Sequence, residues 1–313
     1  MSGLLGLDWG TSSLRAYWLD GQGAIRETRA RPWGIRQLPD GGFDAALADI
    51  THGWPPLPRL ACGMVGSRNG WLEAPYLKLP ADTAQLAATL VSVRAADGLP
   101  VHIVPGLREP RGPDVMRGEE TQLVGALALQ PTLARQSTWL LPGTHCKWVN
   151  VSDGGVTDFC TLMTGELYAL LLQHSILGAA IGDAVADEAA FARGVIAARD
   201  SGAAGAFSRL FSARALMLDG ALAASSVPDY LSGLLLGEEL RSVVAGQRYR
   251  LDGPVQVIGD AALCARYRTA AHHFGISVVE PLADAAAHGL WQIALSRGLV
   301  GNGSTTHRAL PSC

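Results

Sequence analysis

Lysine is almost missing from this 313-residue chain: Lys78 and Lys147 are the only two, and the remaining basic side chains are arginines. The formal net charge is −3, and no cluster of Lys and Arg with interleaved aromatics occurs, so the chain carries no footprint for nucleic acid. Cysteine is scarce as well. Cys62, Cys146, Cys160, Cys264 and Cys313 form no C-x-x-C pair, and their odd number argues against a disulfide framework, which points to a reduced, cytoplasmic protein. No uninterrupted apolar run approaches the ~18 residues of a membrane span. The nearest candidate, after Leu167, is broken by Gln173-His174, and the N-terminal residues show neither a basic segment nor a small-residue cleavage site. Four common signatures are missing too. Without G-K-[ST], G-x-G-x-x-G after a strand, G-x-S-x-G or H-E-x-x-H, there is no P-loop, dinucleotide fingerprint, nucleophile elbow or zincin helix. The eight histidines are scattered and give no tetrahedral zinc site.

What is present is a local pattern that occurs twice. The first copy is Leu4-Leu5-Gly6-Leu7-Asp8-Trp9-Gly10-Thr11, running on through Leu14 to Leu19 and turning at Asp20-Gly21. The second is Trp139-Leu140-Leu141-Pro142-Gly143-Thr144, running on through Trp148-Val149-Asn150-Val151 and turning at Asp153-Gly154. In both, Asp-Gly follows the Thr by nine residues. Each copy reads as a strand, a Gly-containing turn, a second strand and another reversal. Backbone N–H groups and the Thr hydroxyl at such a turn suit phosphate oxygens, so one hairpin from each of two similar halves is expected to grip a polyphosphate. A Gly-Thr pair standing alone would be an ordinary turn. Lys147, three residues after the second Gly-Thr, gains weight as a phosphate contact because flexible ammonium groups are so few.

Length agrees with two lobes, since 313 residues exceed what one core usually supports, and 48% apolar residues are ample for burial. Strands are expected near 3–8, 14–19 and 24–30, a helix at 43–51, and a buried strand at 59–65. A loop rich in Gly, Pro and aromatics follows at 66–80, then a strand at 101–104. Residues 105–113, with three prolines and two glycines, are the candidate hinge. Past it, a helix from 118, strands at 138–142, 146–151 and 156–162, and several helices over 164–247 are expected. A strand at 255–258 ends at Gly259-Asp260 and opens a helix; a strand at 276–280, a helix at 283–297 and a frayed tail from 301 complete the reading. The division expected is 1–112 for an N-terminal lobe with the first hairpin and the acceptor site. Residues 113–313 form a C-terminal lobe with the second hairpin, a helical insertion and an adenosine site.

Asp8-Trp9-Gly10-Thr11-Ser12-Ser13-Leu14-Arg15 resembles the first phosphate motif of the actin-like superfamily of sugar kinases, chaperone ATPases and actin. More narrowly, that motif together with Gly63-Met64-Val65-Gly66-Ser67-Arg68-Asn69-Gly70-Trp71, Asp114-Val115-Met116-Arg117-Gly118-Glu119-Glu120-Thr121-Gln122 and Leu141-Pro142-Gly143-Thr144-His145-Cys146-Lys147-Trp148 is similar to the 2-dehydro-3-deoxygalactonokinase family. Met163-Thr164-Gly165-Glu166-Leu167 and His174-Ser175-Ile176-Leu177 extend the likeness. It runs in order over nearly the whole chain. It implies an α/β, two-lobed actin-like (ribonuclease H-like) sugar-kinase fold with an internal duplication and the nucleotide in the interlobe cleft. The implied reaction is ATP-dependent phosphorylation of the 6-hydroxyl of 2-dehydro-3-deoxy-D-galactonate in galactonate catabolism, with Mg²⁺ as the second cofactor.

Phosphoryl transfer asks for positioning, charge neutralisation and a carboxylate to receive the hydroxyl proton. On the family likeness Glu119 is the expected base and Glu120 the runner-up, both of which would also suit a helix start electrostatically without further role. Asp8, at the end of the first strand, is expected to hold Mg²⁺ through water, or else simply to cap its own turn. Gly10, Thr11 and Ser12, with Gly143, Thr144, His145 and Lys147, are the expected phosphate contacts. Gly259 and Asp260 stand where the superfamily cradles adenosine, though an Asp there also serves as a helix N-cap. The acceptor carboxylate calls for an Arg fork. Arg68, beside Ser67, is the first choice, with Arg117 and Trp9 secondary, against the alternative of solvated surface arginines. The same residues leave room for a kinase of another sugar acid or polyol, or for a sensor of the same fold that transfers nothing. A small-molecule substrate, no nucleic acid and no membrane are the expected partners, and a homo-oligomer is compatible with the sequence.

Overall fold

A computed structural model describes residues 3–179, 181 and 183–301; the expected frayed tail lies, past Gly301, outside the described residues. In chain order the first part contains β1 (Gly3–Trp9), β2 (Leu14–Asp20), β3 (Ile25–Arg31), α1 (Gly42–Ile50), β4 (Arg59–Cys62), β5 (Tyr76–Lys78), α2 (Thr83–Ala88), β6 (Val91–Arg94), β7 (Pro100–Ile103), β8 (Gly106–Glu109), β9 (Asp114–Met116) and α3 (Glu119–Leu129). Then come β10 (Gln136–Leu141), β11 (Cys146–Ser152), β12 (Gly155–Leu162), α4 (Thr164–His174), α5 (Glu188–Arg199), α6 (Ser212–Leu218), α7 (Val227–Gly246), β13 (Gln256–Val257), α8 (Ala261–His272) and α9 (Ala285–Arg297).

Contacts divide the chain into two units. The first holds the described residues up to Ala134, Gly154–Val156 and the stretch from Asp284 onward; the second holds Arg135–Asp153 and Thr157–Ala283. Contacts therefore do not divide the chain at 112/113, because α3 and α9 group with the first unit. The reason is a glycine crossing: a Cβ on Gly125 would stand 1.8 Å from the Ala285 carbonyl oxygen, and one on Gly289 1.8 Å from that of Thr121. With no side chain on either helix there, the two backbones meet directly. The proposed hinge also resolves differently, since Pro105 and Pro110 bracket β8, which pairs with β5 and β9 inside the first unit.

The sheet of the first unit runs β3-β2-β1-β4-β7-β6. β1 to β3 form an antiparallel meander, and β4 lies parallel to β1. The second unit repeats this plan in four strands, β12-β11-β10-β13, with β10 antiparallel to β11 and parallel to β13. The duplication seen as two Gly-Thr hairpins is thus a repeated topology. Both sheets are fully buried where the hairpins start: Leu4, Leu7 and Trp9 are 0% exposed, as are Trp139, Leu140 and Trp148. Leu7, Trp9, Leu14, Ala61, Val65 and Ile103 belong to one core of the first unit, and Leu140, Trp148, Phe191, Leu240 and Val257 to one core of the second. The strand expected at 276–280 shrinks to a single parallel bridge between Val255 and Val278. Its partner Val255 precedes β13, which is two residues long between Pro254, a residue without an N–H, and the Gly259-Asp260 turn.

Candidate active site

Each Gly-Thr turn is backed by a glycine from another segment. Behind the first, a Cβ on Gly34 would lie 2.1 Å from the Thr11 carbonyl oxygen and 2.2 Å from the Ser12 nitrogen. The same segment donates from Ile35 N to Gly10 O (3.1 Å) and from Arg36 N to Thr11 O (3.3 Å), while Gly10 N bonds Ser13 O (2.9 Å). Behind the second, Gly165 in the first turn of α4 comes so near that a Cβ would stand 2.4 Å from the Gly143 oxygen. Glu166 N donates to Thr144 O at 3.0 Å. Gly10, Thr11 and Gly143 remain partly exposed, and Ser12, Thr144 and His145 are exposed. These turns present backbone to solvent on a rigid support.

Three segments of the first unit meet at backbone distance behind the Asp8 carboxylate. Gly63 ends β4 at φ 89°, and a Cβ there would lie 2.8 Å from the Trp9 oxygen. Gly118, at φ 110°, faces Gly63 in turn, its own Cβ position 3.3 Å from the Gly63 Cα. Only glycine holds that conformation at that spacing. The result is that the N-terminus of α3 abuts the end of β1. Asp8 pairs with Arg15 across the hairpin and with Cys62 on β4. Burial raises its carboxyl, Arg15 works against the shift, and Glu119 adds to it. Cys62 Sγ points to Asp8 Oδ1 at 4.0 Å, and burial pushes that thiol well up, with Asp8 and Glu120 adding to the effect.

The two expected bases separate clearly. Glu120 is 1% exposed, and its Oε2 accepts from Gly118 N (2.7 Å) and its Oε1 from Thr121 Oγ1 (3.0 Å). Burial, followed by the charge of Glu119, pushes its pKa up to about 8. Glu119 is half-buried, and its Oε2 accepts from Arg117 N at 3.0 Å. Among the described residues no group of three or more His, Cys, Asp or Glu could hold a metal by itself. An ion beside Asp8 would take most of its ligands from phosphate and water, which is how Mg²⁺ is commonly bound, so the residues fit that ion.

The acceptor residues also sort themselves. Trp9 does not offer its side chain to a ligand: it is 0% exposed, donates Nε1 to Trp33 O (2.8 Å) and packs edge-on against Phe43 and Trp71. Arg68 is exposed. Ser67 and Arg117 are buried, and Arg117 Nη2 donates to Ala74 O at 2.7 Å beneath the Tyr76 ring.

In the second unit Lys147 departs from expectation. It is 3% exposed and its Nζ donates to His145 O at 3.0 Å, so it braces the turn from inside and is no flexible surface ammonium. His145 Nε2 is paired with Glu166 Oε2. Gly259 sits beside the same turn, a Cβ there lying 3.3 Å from Pro142 Cδ. Asp260 is the N-cap of α8, accepting from Leu263 N at 3.0 Å, so its carboxylate is committed to the helix. Beneath the turn, Glu239 is 2% exposed and accepts from Trp148 Nε1 (2.8 Å), Tyr267 OH (2.8 Å) and Thr164 Oγ1. The sequence alone assigns no role at the site to Gly34, Cys62 or Glu239. The quoted segment around Gly165 was the one signal for the backing of the second turn.

A meander with a Gly-Thr turn and a strand parallel to its first, present once in each unit, defines the α/β fold of actin-like ATPases and sugar kinases. The ligand-bound xylulose kinase of Lactobacillus acidophilus shares it at a TM-score of 0.51 with 9% identity, over 96% of this chain and 90% of that one. Within that class the chain belongs to the 2-keto-3-deoxy-galactonokinase family, whose model matches residues 8–293. It is 37% identical over 289 residues to the 2-dehydro-3-deoxygalactonokinase of Escherichia coli K12, covering 90% of this chain and 94% of that one. A crystal structure from Sinorhizobium meliloti, described as a candidate 2-dehydro-3-deoxygalactonokinase, matches at a TM-score of 0.84 with 36% identity, over 93% of this chain and 98% of that one.

Proposed function

We infer that this chain transfers the γ-phosphoryl group of ATP to the 6-hydroxyl of 2-dehydro-3-deoxy-D-galactonate, a step of galactonate catabolism. The observation that carries the reading is the family match over residues 8–293. The O–H bond of the acceptor breaks, a new P–O ester bond forms, and the bond to the departing ADP opens. Glu119 receives the hydroxyl proton. Glu120, its pKa pushed up to about 8 by burial, keeps its own proton at neutral pH and so adds no second charge beside it. Mg²⁺, when bound, neutralises charge on the phosphate oxygens, and Asp8 is the residue that would hold it.

Backbone and hydroxyl groups of Gly10, Thr11 and Ser12, and of Gly143, Thr144 and His145, take the phosphates, with Lys147 acting through the turn it braces. Gly259 and the backbone at Asp260 receive adenosine. Ser67, Arg68 and Arg117 face the acceptor. The four described cysteines form no disulfide, which supports a cytoplasmic setting, and no described helix is long and apolar enough to cross a membrane. An ADP-release assay over a panel of sugar acids and polyols, with the phosphorylated position fixed by NMR, tests the reading. Turnover of 2-keto-3-deoxy acids at the terminal hydroxyl is expected. ATP binding with no turnover of any of them would overturn it.

A further inference from the structure

We propose that Arg117, with Ser67 beside it, seats the carboxylate of the sugar-acid acceptor and that Tyr76 is the cover of this seat. The proposal rests on the kinase reading above in taking the acceptor to be a sugar acid. Arg117 is 8% exposed, yet its Nε and Nη1 have no hydrogen-bond partner among the described residues. Ser67, 9% exposed, likewise has an unpartnered Oγ. Buried donors are ordinarily satisfied, and an unsatisfied one marks a place where something else is meant to bind.

The charge is unusual as well. Arg59, the other buried arginine with an open Nε, is neutralised by Asp97 through Nη1 (3.0 Å) and Nη2 (2.5 Å). Arg117 makes no ion pair among the described residues: its one guanidinium bond goes to the neutral carbonyl of Ala74. The nearby Glu119 carboxylate accepts from the backbone N–H of Arg117 instead. A buried guanidinium without a counter-ion is a seat for an anion.

Location ties the two groups together. Arg117 Nη1 lies against Gly66, where a Cβ would stand 3.0 Å from it, and Gly66 is the neighbour of Ser67. An oxyanion on the guanidinium would therefore meet the serine hydroxyl from the same backbone corner. Arg68, on the other side of Ser67, is exposed and bears no such unmade bonds. Tyr76 covers the guanidinium face, its ring centroid 4.3 Å from Cζ, while remaining 38% exposed itself. The ring also packs on β8, its Cε1 2.6 Å from where a Cβ on Gly106 would stand, so it closes one face of the guanidinium.

The test compares the sugar acid with its uncharged carboxamide in steady-state kinetics. Wild type is expected to prefer the acid in kcat/KM by about a hundredfold, as fits a desolvated charge pair. Arg117→Met should abolish that preference by losing activity on the acid alone, with KM for ATP unchanged. Arg117→Lys should keep part of it and Ser67→Ala should reduce it. These milder variants carry the test if Arg117→Met does not fold. Equal losses on acid and amide, or a preference that survives in the Arg117 variants and disappears in Arg68→Ala, would overturn the proposal. If wild type turns over no sugar acid, the kinase reading falls separately. Calorimetric binding of the acid then decides the seat: weaker binding in Arg117→Lys than in wild type supports it, and unchanged binding, or none in wild type, refutes it.

Discussion

Replacing Glu120 by Gln should make the protein more stable at alkaline pH, by an amount that grows with pH. Burial raises the carboxyl from 4.5 in the unfolded chain to about 8 in the folded one. Between those values the folded state keeps a proton that the unfolded state has released, so unfolding releases a proton and stability falls as pH rises. The slope is about 1.4 kcal/mol per pH unit, and the whole window is worth on the order of 5 kcal/mol. Glutamine is the neutral match of the protonated group: its oxygen accepts from Gly118 N, and the Thr121 hydroxyl, which donates to Glu120 Oε1 now, turns to accept from the amide. Glu119, which adds to the shift, and Cys62 nearby are common to both proteins and largely cancel in the difference. Urea titrations followed by tryptophan fluorescence at about pH 5.5, 6.5 and 7.5 measure it. The gap between Glu120→Gln and wild type should widen by about 1.4 kcal/mol at each step. Parallel stability curves would show that Glu120 is ionised in the folded protein and would remove charge as a ground for preferring Glu119 over it as the proton acceptor.

Glu119→Gln should lower kcat by about a hundredfold or more while ATP still binds, as expected for loss of a general base; near-normal turnover would remove it from that role. Gly125→Ala places a methyl 1.8 Å from the Ala285 oxygen and 2.5 Å from the Gly289 nitrogen, so the helices must part. A loss of about 3 kcal/mol or more is expected in denaturant unfolding, with a fall in kcat because α3 carries Glu119 at its start. Glu239→Leu leaves Trp148 Nε1, Tyr267 OH and Thr164 Oγ1 without their acceptor, which should cost about 3 kcal/mol or more. Glu239→Gln should cost less, and equal effects of the two would mean that volume, not hydrogen bonding, governs the site.

The repeated hairpin was legible because turn chemistry and strand burial are local: Gly-Thr between two apolar runs forms β1-β2 in one unit and β10-β11 in the other. Other features depended on partners distant in sequence. Lys147 was read by its charge, yet β11 is buried from Cys146 to Val149 and its ammonium is turned back onto the His145 carbonyl. Trp9 was read by its place in a ligand motif, whereas Phe43 and Trp71 take it into the core. The prolines at 105 and 110 looked like a linker because proline resists long strands, but a four-residue strand fits between them. The preference for Arg68 over Arg117 followed position along the chain. Which arginine is buried without a counter-ion is settled by residues 66, 74 and 76, and no local pattern shows that.

The glycine crossing of α3 and α9 also orders biosynthesis. β1 leaves the ribosome well before α9, but Gly6 on it is packed by Leu290, whose Cδ1 lies 3.0 Å from where a Cβ would be. Gly125 likewise waits for Gly289. A nascent chain therefore holds an unfinished first unit while the second unit is made, its glycine face and sheet uncovered until α9 emerges. Vectorial synthesis gives the second unit the chance to fold early and makes the first one, although β1 to α3 precede it, the later of the two to close.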